Sequence, residues 1–134
     1  MIPVEQVTTG KKSQFTEKGI FVGGKAGVPL ALVNVRHMRR QDKSMERIIL
    51  DLNGIGEGAP ERPGFYQVSI QKNPRRVLID LQDIMDARIT SSQVTALLKD
   101  SQYFSKALFH YDKVKNDLTI ELPLKNWAQI DVSE

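Results

Sequence analysis

The chain contains no cysteine. That absence excludes disulfide staples, thiolate metal sites and a cysteine nucleophile, although it does not fix a compartment. No apolar run approaches the roughly 18 residues that a bilayer-crossing helix requires, so no membrane span is expected. Histidine is nearly missing too, with only His37 and His110, whereas a zinc site takes three or four ligands. Neither histidine has a second histidine or a carboxylate at ligand spacing. No metal or other cofactor is therefore expected, and both histidines are expected on half-exposed faces of strands. Ser44, Ser69 and Ser105 lack the Gly-x-Ser-x-Gly surroundings of a nucleophile elbow. The run Gly19-Ile20-Phe21-Val22-Gly23-Gly24-Lys25-Ala26 stops one residue short of a phosphate-binding loop. Ala26 stands where Mg²⁺ would need a hydroxyl, and Ile-Phe-Val is strand-like. A strand followed by a glycine turn is the simpler reading. These absences together argue against an enzyme.

What remains is an ordinary globular composition. The 134 residues are 40% hydrophobic and 26% charged, with a net charge of +3. One domain is expected at this length, with about two-thirds of the unfolded surface buried on folding. The mildly basic balance permits an acidic partner without demanding nucleic acid. Met1-Ile2-Pro3-Val4 lacks the basic start and apolar core of a signal peptide. Either the protein is cytoplasmic, or the chain begins after a removed signal.

The most informative feature is a recurrence. Glu46-Arg47-Ile48-Ile49-Leu50-Asp51-Leu52 is echoed by Arg75-Arg76-Val77-Leu78-Ile79-Asp80-Leu81, and both read Arg, three aliphatics, Asp, Leu. A weaker third copy runs from Asp117 to Leu122. Side chains alternate faces along a strand. Ile48, Leu50 and Leu52 thus share one face, as do Val77, Ile79 and Leu81. The opposite faces carry Arg47, Ile49 and Asp51 in the first copy and Arg76, Leu78 and Asp80 in the second. Each strand has one dry face and one half-polar face, and Asp51 and Asp80 are expected to pair with arginines across strands, which keeps both ionised.

Other segments add to the sheet. Ile20 to Val22 reads as a short strand. Leu30 to Met38 reads as a longer one, with Ala31, Val33 and Val35 on one face and Asn34 and Arg36 on the other. Arg39 to Ser44 is a charged turn, and the glycine- and proline-rich stretch 54–64 is a loop. Phe65 to Gln71 leads through the Asn73-Pro74 turn into the second copy as a hairpin. Lys106 to Tyr111 and Leu118 to Leu124 form a last hairpin turning at Lys115-Asn116-Asp117. One short helix is expected near residues 91–100, because Thr90 and Gln93 form a capping box ahead of a Val94, Leu97, Leu98 stripe. The pattern describes a mainly β protein, a small β-sandwich or partly open barrel. Residues 1–19 are expected as a flexible lead-in, 20–126 as the domain and 127–134 as a tail.

Arginine dominates the candidate binding residues. Arg36, Arg39, Arg40, Lys43 and Arg47 lie close in sequence, and Lys72, Arg75 and Arg76 flank the Asn-Pro turn. If the two hairpins are neighbours, these merge into one basic patch whose planar forks suit carboxylate or phosphate. The aromatic interleaving of single-strand nucleic-acid binders is missing, so no nucleic acid is expected. A solvated sheet edge protected by charge is the plain alternative.

At Asn34-Val35-Arg36, at 46–52, and above all at Ser69-Ile70-Gln71-Lys72-Asn73-Pro74-Arg75-Arg76-Val77-Leu78-Ile79-Asp80-Leu81, the chain resembles the AMIN domain. The specific part spans about residues 33–82, and 103–124 continues it through the last hairpin. AMIN domains are small β-sandwiches of bacterial N-acetylmuramoyl-L-alanine amidases and type IV pilus secretins, where they bind peptidoglycan. The resemblance implies a non-catalytic module of the periplasm or cell envelope that binds peptidoglycan and localises its host protein. It implies Arg36, Arg47, Arg75 and Arg76 as ligand contacts, with Asp51 and Asp80 orienting them. The alternative function is a protein–protein adaptor using an exposed strand edge in an envelope or pilus/secretion assembly.

Overall fold

The computed structural model describes residues 6–8, 19–40, 45–55 and 64–134. Its elements are β1 (Gln6–Thr8), β2 (Gly19–Gly23), β3 (Leu30–Arg40), β4 (Met45–Gly54), β5 (Tyr66–Gln71), β6 (Arg76–Leu81), β7 (Ile84–Ala87), α1 (Ser91–Leu97), β8 (Leu108–Asp112) and β9 (Asp117–Pro123). Two sheets result. Six strands run in the order β1-β2-β5-β6-β9-β8, and three in the order β4-β3-β7. Over the described residues the protein is mainly β with one short helix, a small β-sandwich-like fold, as the strand pattern predicts.

The dry faces of the recurrent motif form the core. On β6, Val77, Ile79 and Leu81 stand opposite Leu122, Ile120 and Leu118 of β9, the weak third copy. Leu118, Ile120 and Leu122 are all buried. From the smaller sheet come Leu30, Leu32, Val35 and Ile84, and these join the same apolar cluster. Ile48, Leu50 and Leu52 of β4 pack against it while remaining half-buried. Burying each such side chain contributes about 1.5–3 kcal/mol, which is why the aliphatic faces decide the layering.

Helix α1 closes one side. Thr90 Oγ1 accepts from the Gln93 amide at 3.2 Å, and Gln93 Oε1 accepts from the Thr90 amide at 2.8 Å. This is the reciprocal cap read from the sequence. Val94 and Leu98 enter the core. Leu97, expected in the same stripe, is 41% exposed; the helix ends there after seven residues, before the stripe completes a second turn.

Both expected hairpins form. The β5–β6 turn holds a cis Asn73–Pro74 bond with Asn73 at φ +63°. The β8–β9 turn places Asn116 at φ +57°, and Asp112 Oδ1 accepts from the amides of Val114 and Lys115. The glycine turn after β2 is also present, with Gly24 and Gly27 at φ +78° and +81°, conformations that favour glycine.

Several expectations are corrected. The first concerns β3, whose register slips between Leu32 and Asn34. This bulge makes Val33 the extra residue, so Val35 shares the core side with Leu30 and Leu32 and not with Val33. A single inserted residue reverses every following side chain, and Val33 is accordingly only half-buried.

The two motif hairpins, expected as possible neighbours, belong to different sheets. No strand pairing merges their arginines. Residues 127–134, expected as a tail, pack on the body: Ala128 is buried, and Ile130 and Val132 contact the core cluster. Glu134 Oε1 accepts from the Gly24 amide at 3.0 Å and from the Tyr66 hydroxyl at 3.2 Å. Within the expected lead-in, Gln6–Thr8 pair in parallel with β2, while most of that segment lies outside the described residues. So do Gln41 to Ser44 of the charged turn and most of the 54–64 loop.

The shortest crossing of the chain between the two sheets lies at one corner. Between β6 and β7 the chain crosses from the larger sheet to the smaller through Gln82 and Asp83 alone. Asp83 sits at φ +58°. Its carbonyl accepts from Leu30 N at 2.9 Å, Gln82 N donates to Phe65 O, and Ile84 N donates to Asn116 O at 2.8 Å.

Candidate functional site

The six residues expected as a ligand site are divided among three places. Arg36 and Asp51 meet on the outer face of the smaller sheet, where the guanidinium grips the carboxylate through Nε and Nη2, both at 2.9 Å. The hydrogen bond and charge of Asp51 raise the Arg36 pKa above its ordinary value. The expected cross-strand pairing is thus present, with β3 supplying the arginine. Arg47 lies exposed on the same outer face, and among the described residues it has no ion-pair partner.

The second copy is satisfied differently. Arg76 donates to Pro74 O at 2.9 Å and Gln71 Oε1 at 3.0 Å, and its Nε lies 3.8 Å from Glu121. Asp80 accepts a hydrogen bond from the Thr119 hydroxyl. Arg76 and Asp80 are therefore held by β5 and β9 on either side, and not by each other.

Arg75 sits apart from all of these. With Lys72, Asn73, Pro74 and Trp127 it lines a concavity of about 450 Å³. The turn brings in the two cations. The segment after β9 brings in the indole, because Leu124 N donates to Arg75 O at 3.0 Å and Lys125 N to Tyr103 O at 2.9 Å. Trp127 is 57% exposed. The Arg75 Nε is covered and makes no hydrogen bond, an unmet donor of the kind that costs about 1–3 kcal/mol. A carboxylate entering the concavity and turning the fork would relieve it. Sequence reasoning had Arg75 but missed Trp127. Its one available signal was that it is the sole tryptophan of the chain, placed beyond the last strand.

A second cluster was also missed. His37, expected on a half-exposed face, has a side chain only 8% exposed, and its Nε2 lies 2.7 Å from Glu46 Oε1. Glu46 also accepts from the Ser101 hydroxyl at 2.6 Å and the Gln102 amide at 2.5 Å. Burial pushes the Glu46 carboxyl up. The Ser101 and His37 hydrogen bonds, the Gln102 amide and the His37 charge outweigh it, and the net shift is downward. Ser101 Oγ in turn accepts from the amides of Tyr103 and Phe104. With the Glu46 carboxylate lying between serine and histidine and accepting from both, the cluster acts as a polar clasp between β4 and the segment after α1. His110, also expected on a half-exposed face, is exposed and lies 3.1 Å from Glu121.

Among the described residues no group of three or more histidines and acids is arranged to hold a metal. Among the same residues no helix is long and apolar enough to cross a membrane.

Comparisons with protein-family models, curated proteins and solved structures returned no match. The likeness to AMIN domains rests on the residues quoted above.

Proposed function

We propose that this chain is a non-catalytic cell-envelope module that binds peptidoglycan and localises its host protein or complex, with the Lys72–Arg75 turn and Trp127 as the contact site. The observation that carries this reading is the unmet, covered Arg75 donor beside Lys72 and an exposed indole in one open concavity. Peptidoglycan stem peptides carry carboxylates, which guanidinium and ammonium groups hold. Its sugars offer apolar ring faces for an aromatic side chain that is rigid and amphipathic. A shallow single site is weak, but a polymer presenting many copies of the ligand raises retention through effective concentration. The β-sandwich-like fold and the AMIN likeness agree with this reading. They imply a periplasmic or envelope location; a cytoplasmic one is the alternative.

Co-sedimentation with purified sacculi tests it. Wild type should pellet with the walls, and Trp127→Ala and Arg75→Ala should each reduce recovery about tenfold, within the range for truncated aromatic and arginine anchors. Arg36→Ala, on the other sheet, should leave recovery unchanged. Equal recovery of wild type and the Arg75→Ala/Trp127→Ala double variant would remove the proposal.

The adaptor reading rests on a different feature, the outer edge of β4, which no described strand occupies. It predicts retention by an envelope or secretin/pilus protein and none by cell walls.

A further inference from the structure

The same motif occupies two unlike positions. In β6 it lies inside a sheet, and neighbours on both sides serve it: Gln71 of β5 and Glu121 of β9 meet Arg76, and Thr119 of β9 meets Asp80. Among the described residues β4 lies at an edge, and there only β3 serves the motif. Asp51 has Arg36, while Arg47 is exposed with no ion-pair partner among the described residues. Edge strands are normally blunted by proline, charged side chains such as lysine, a bulge or brevity. The charges of β4 are Glu46, which the clasp takes up, and Arg47 and Asp51, which are of opposite sign. β4 runs ten residues with neither proline nor lysine, and the bulge of the pair falls in β3. Ile48, Ile49, Leu50 and Leu52 along it are all half-buried.

We propose that this edge is a self-association site, at which a second copy of the chain adds its own β4 in antiparallel fashion about Ile49. In antiparallel self-pairing, directly opposed residues must both turn their backbone groups toward the shared edge, or both away. The two-fold axis therefore passes through a residue. With the axis at Ile49, Arg47 faces the partner's Asp51, and Asp51 faces the partner's Arg47. Ile48 then faces the partner's Leu50, on the apolar side that already contacts the core. Moving the axis to Ile48 sets Arg47 against the partner's Ile49 and Asp51 against the partner's Met45. Moving it to Leu50 sets Arg47 against the partner's Asn53. Neither alternative pairs the charges. A carboxylate has acceptor positions for more than one guanidinium, so Asp51 accommodates its own Arg36 and the partner's Arg47. The contact is isologous and closed, and it joins two three-stranded sheets into one of six.

Sedimentation equilibrium of the full chain tests the contact, with circular dichroism confirming that each variant is folded. Wild type should show a reversible monomer–dimer equilibrium. Arg47→Asp places like charges opposite each other twice and should raise the dissociation constant about tenfold or more. Mixing Arg47→Asp with Asp51→Arg should restore a heterodimer, because every facing charge pair is again Asp against Arg. The register has its own readout, since the chain has no cysteine. Directly opposed residues have Cβ atoms about 4.5–5.5 Å apart, near disulfide reach. Ile49→Cys should therefore give a covalent dimer on mild oxidation, and Arg47→Cys should not. A wild type that stays monomeric up to about 1 mM overturns the proposal. So does a dimer that Arg47→Asp leaves unchanged or that Ile49→Cys fails to link.

Discussion

Replacing Glu46 by alanine removes the shared acceptor of three donors drawn from two parts of the chain, β3 and the segment after α1. The Ser101 hydroxyl, the Gln102 amide and His37 Nε2 all point at this carboxylate, whose side chain is only 3% exposed. A buried donor left without an acceptor costs about 1–3 kcal/mol. The Ser101 hydroxyl can rotate away, so its loss should fall at the low end. The sum is about 3–4 kcal/mol, a large share of the 5–15 kcal/mol typical of a domain. Glutamine keeps one oxygen in place but turns an amide N–H toward a donor, and should cost about 1–2 kcal/mol. Urea unfolding followed by circular dichroism measures this. With a slope of about 2 kcal/mol per molar, Glu46→Ala should lower the midpoint by about 1.5–2 M without changing the slope. Acidity offers an independent arm. The folded-state pKa of Glu46 lies below its ordinary value of 4.5, so the unfolded chain binds that proton more readily. The contribution is complete above that ordinary value and is lost as pH falls through the lower folded one. The gap between wild type and Glu46→Gln should therefore be wide at neutral pH and narrow in acid. Variants within about 0.5 kcal/mol of wild type, or a gap that does not narrow in acid, would refute the clasp.

Two further outcomes test the packing and the cap. Leu118→Ala should cost about 2–5 kcal/mol in the same urea assay, because this fully buried side chain stands opposite Leu81 across the β6–β9 pair; a cost below 1 kcal/mol would argue against a common core. Thr90→Ala should cost about 1 kcal/mol and accelerate amide exchange at Gln93, whose N–H loses its acceptor.

The strands were legible because the dry faces repeat with period two. Ile48, Leu50, Leu52 and Val77, Ile79, Leu81 announce both strand and inward face, and local chemistry at Asn73, Thr90 and Asn116 announces turns and cap. What could not be read was long-range. Ala31, Val33 and Val35 are all aliphatic, so the bulge at Val33 leaves no mark in the pattern. Which hairpin joins which sheet depends on pairing between distant segments, and that separated Arg36 and Arg47 from Arg75 and Arg76. Glu46 reads as a surface charge until Ser101 and Gln102, 55 and 56 residues downstream, close over it. Trp127 reads as tail until the chain after β9 is seen anchored at Arg75 and Tyr103.

The two-residue passage from β6 to β7 has a practical bearing on how this protein can be labelled. A reporter spliced beside Gln82 or Asp83 would act as a wedge, prising the layers apart where the polypeptide itself stitches them. The β8–β9 tip around Val114, which is 93% exposed, offers a guest domain room outside the body, leaving both sheets free to close beneath it.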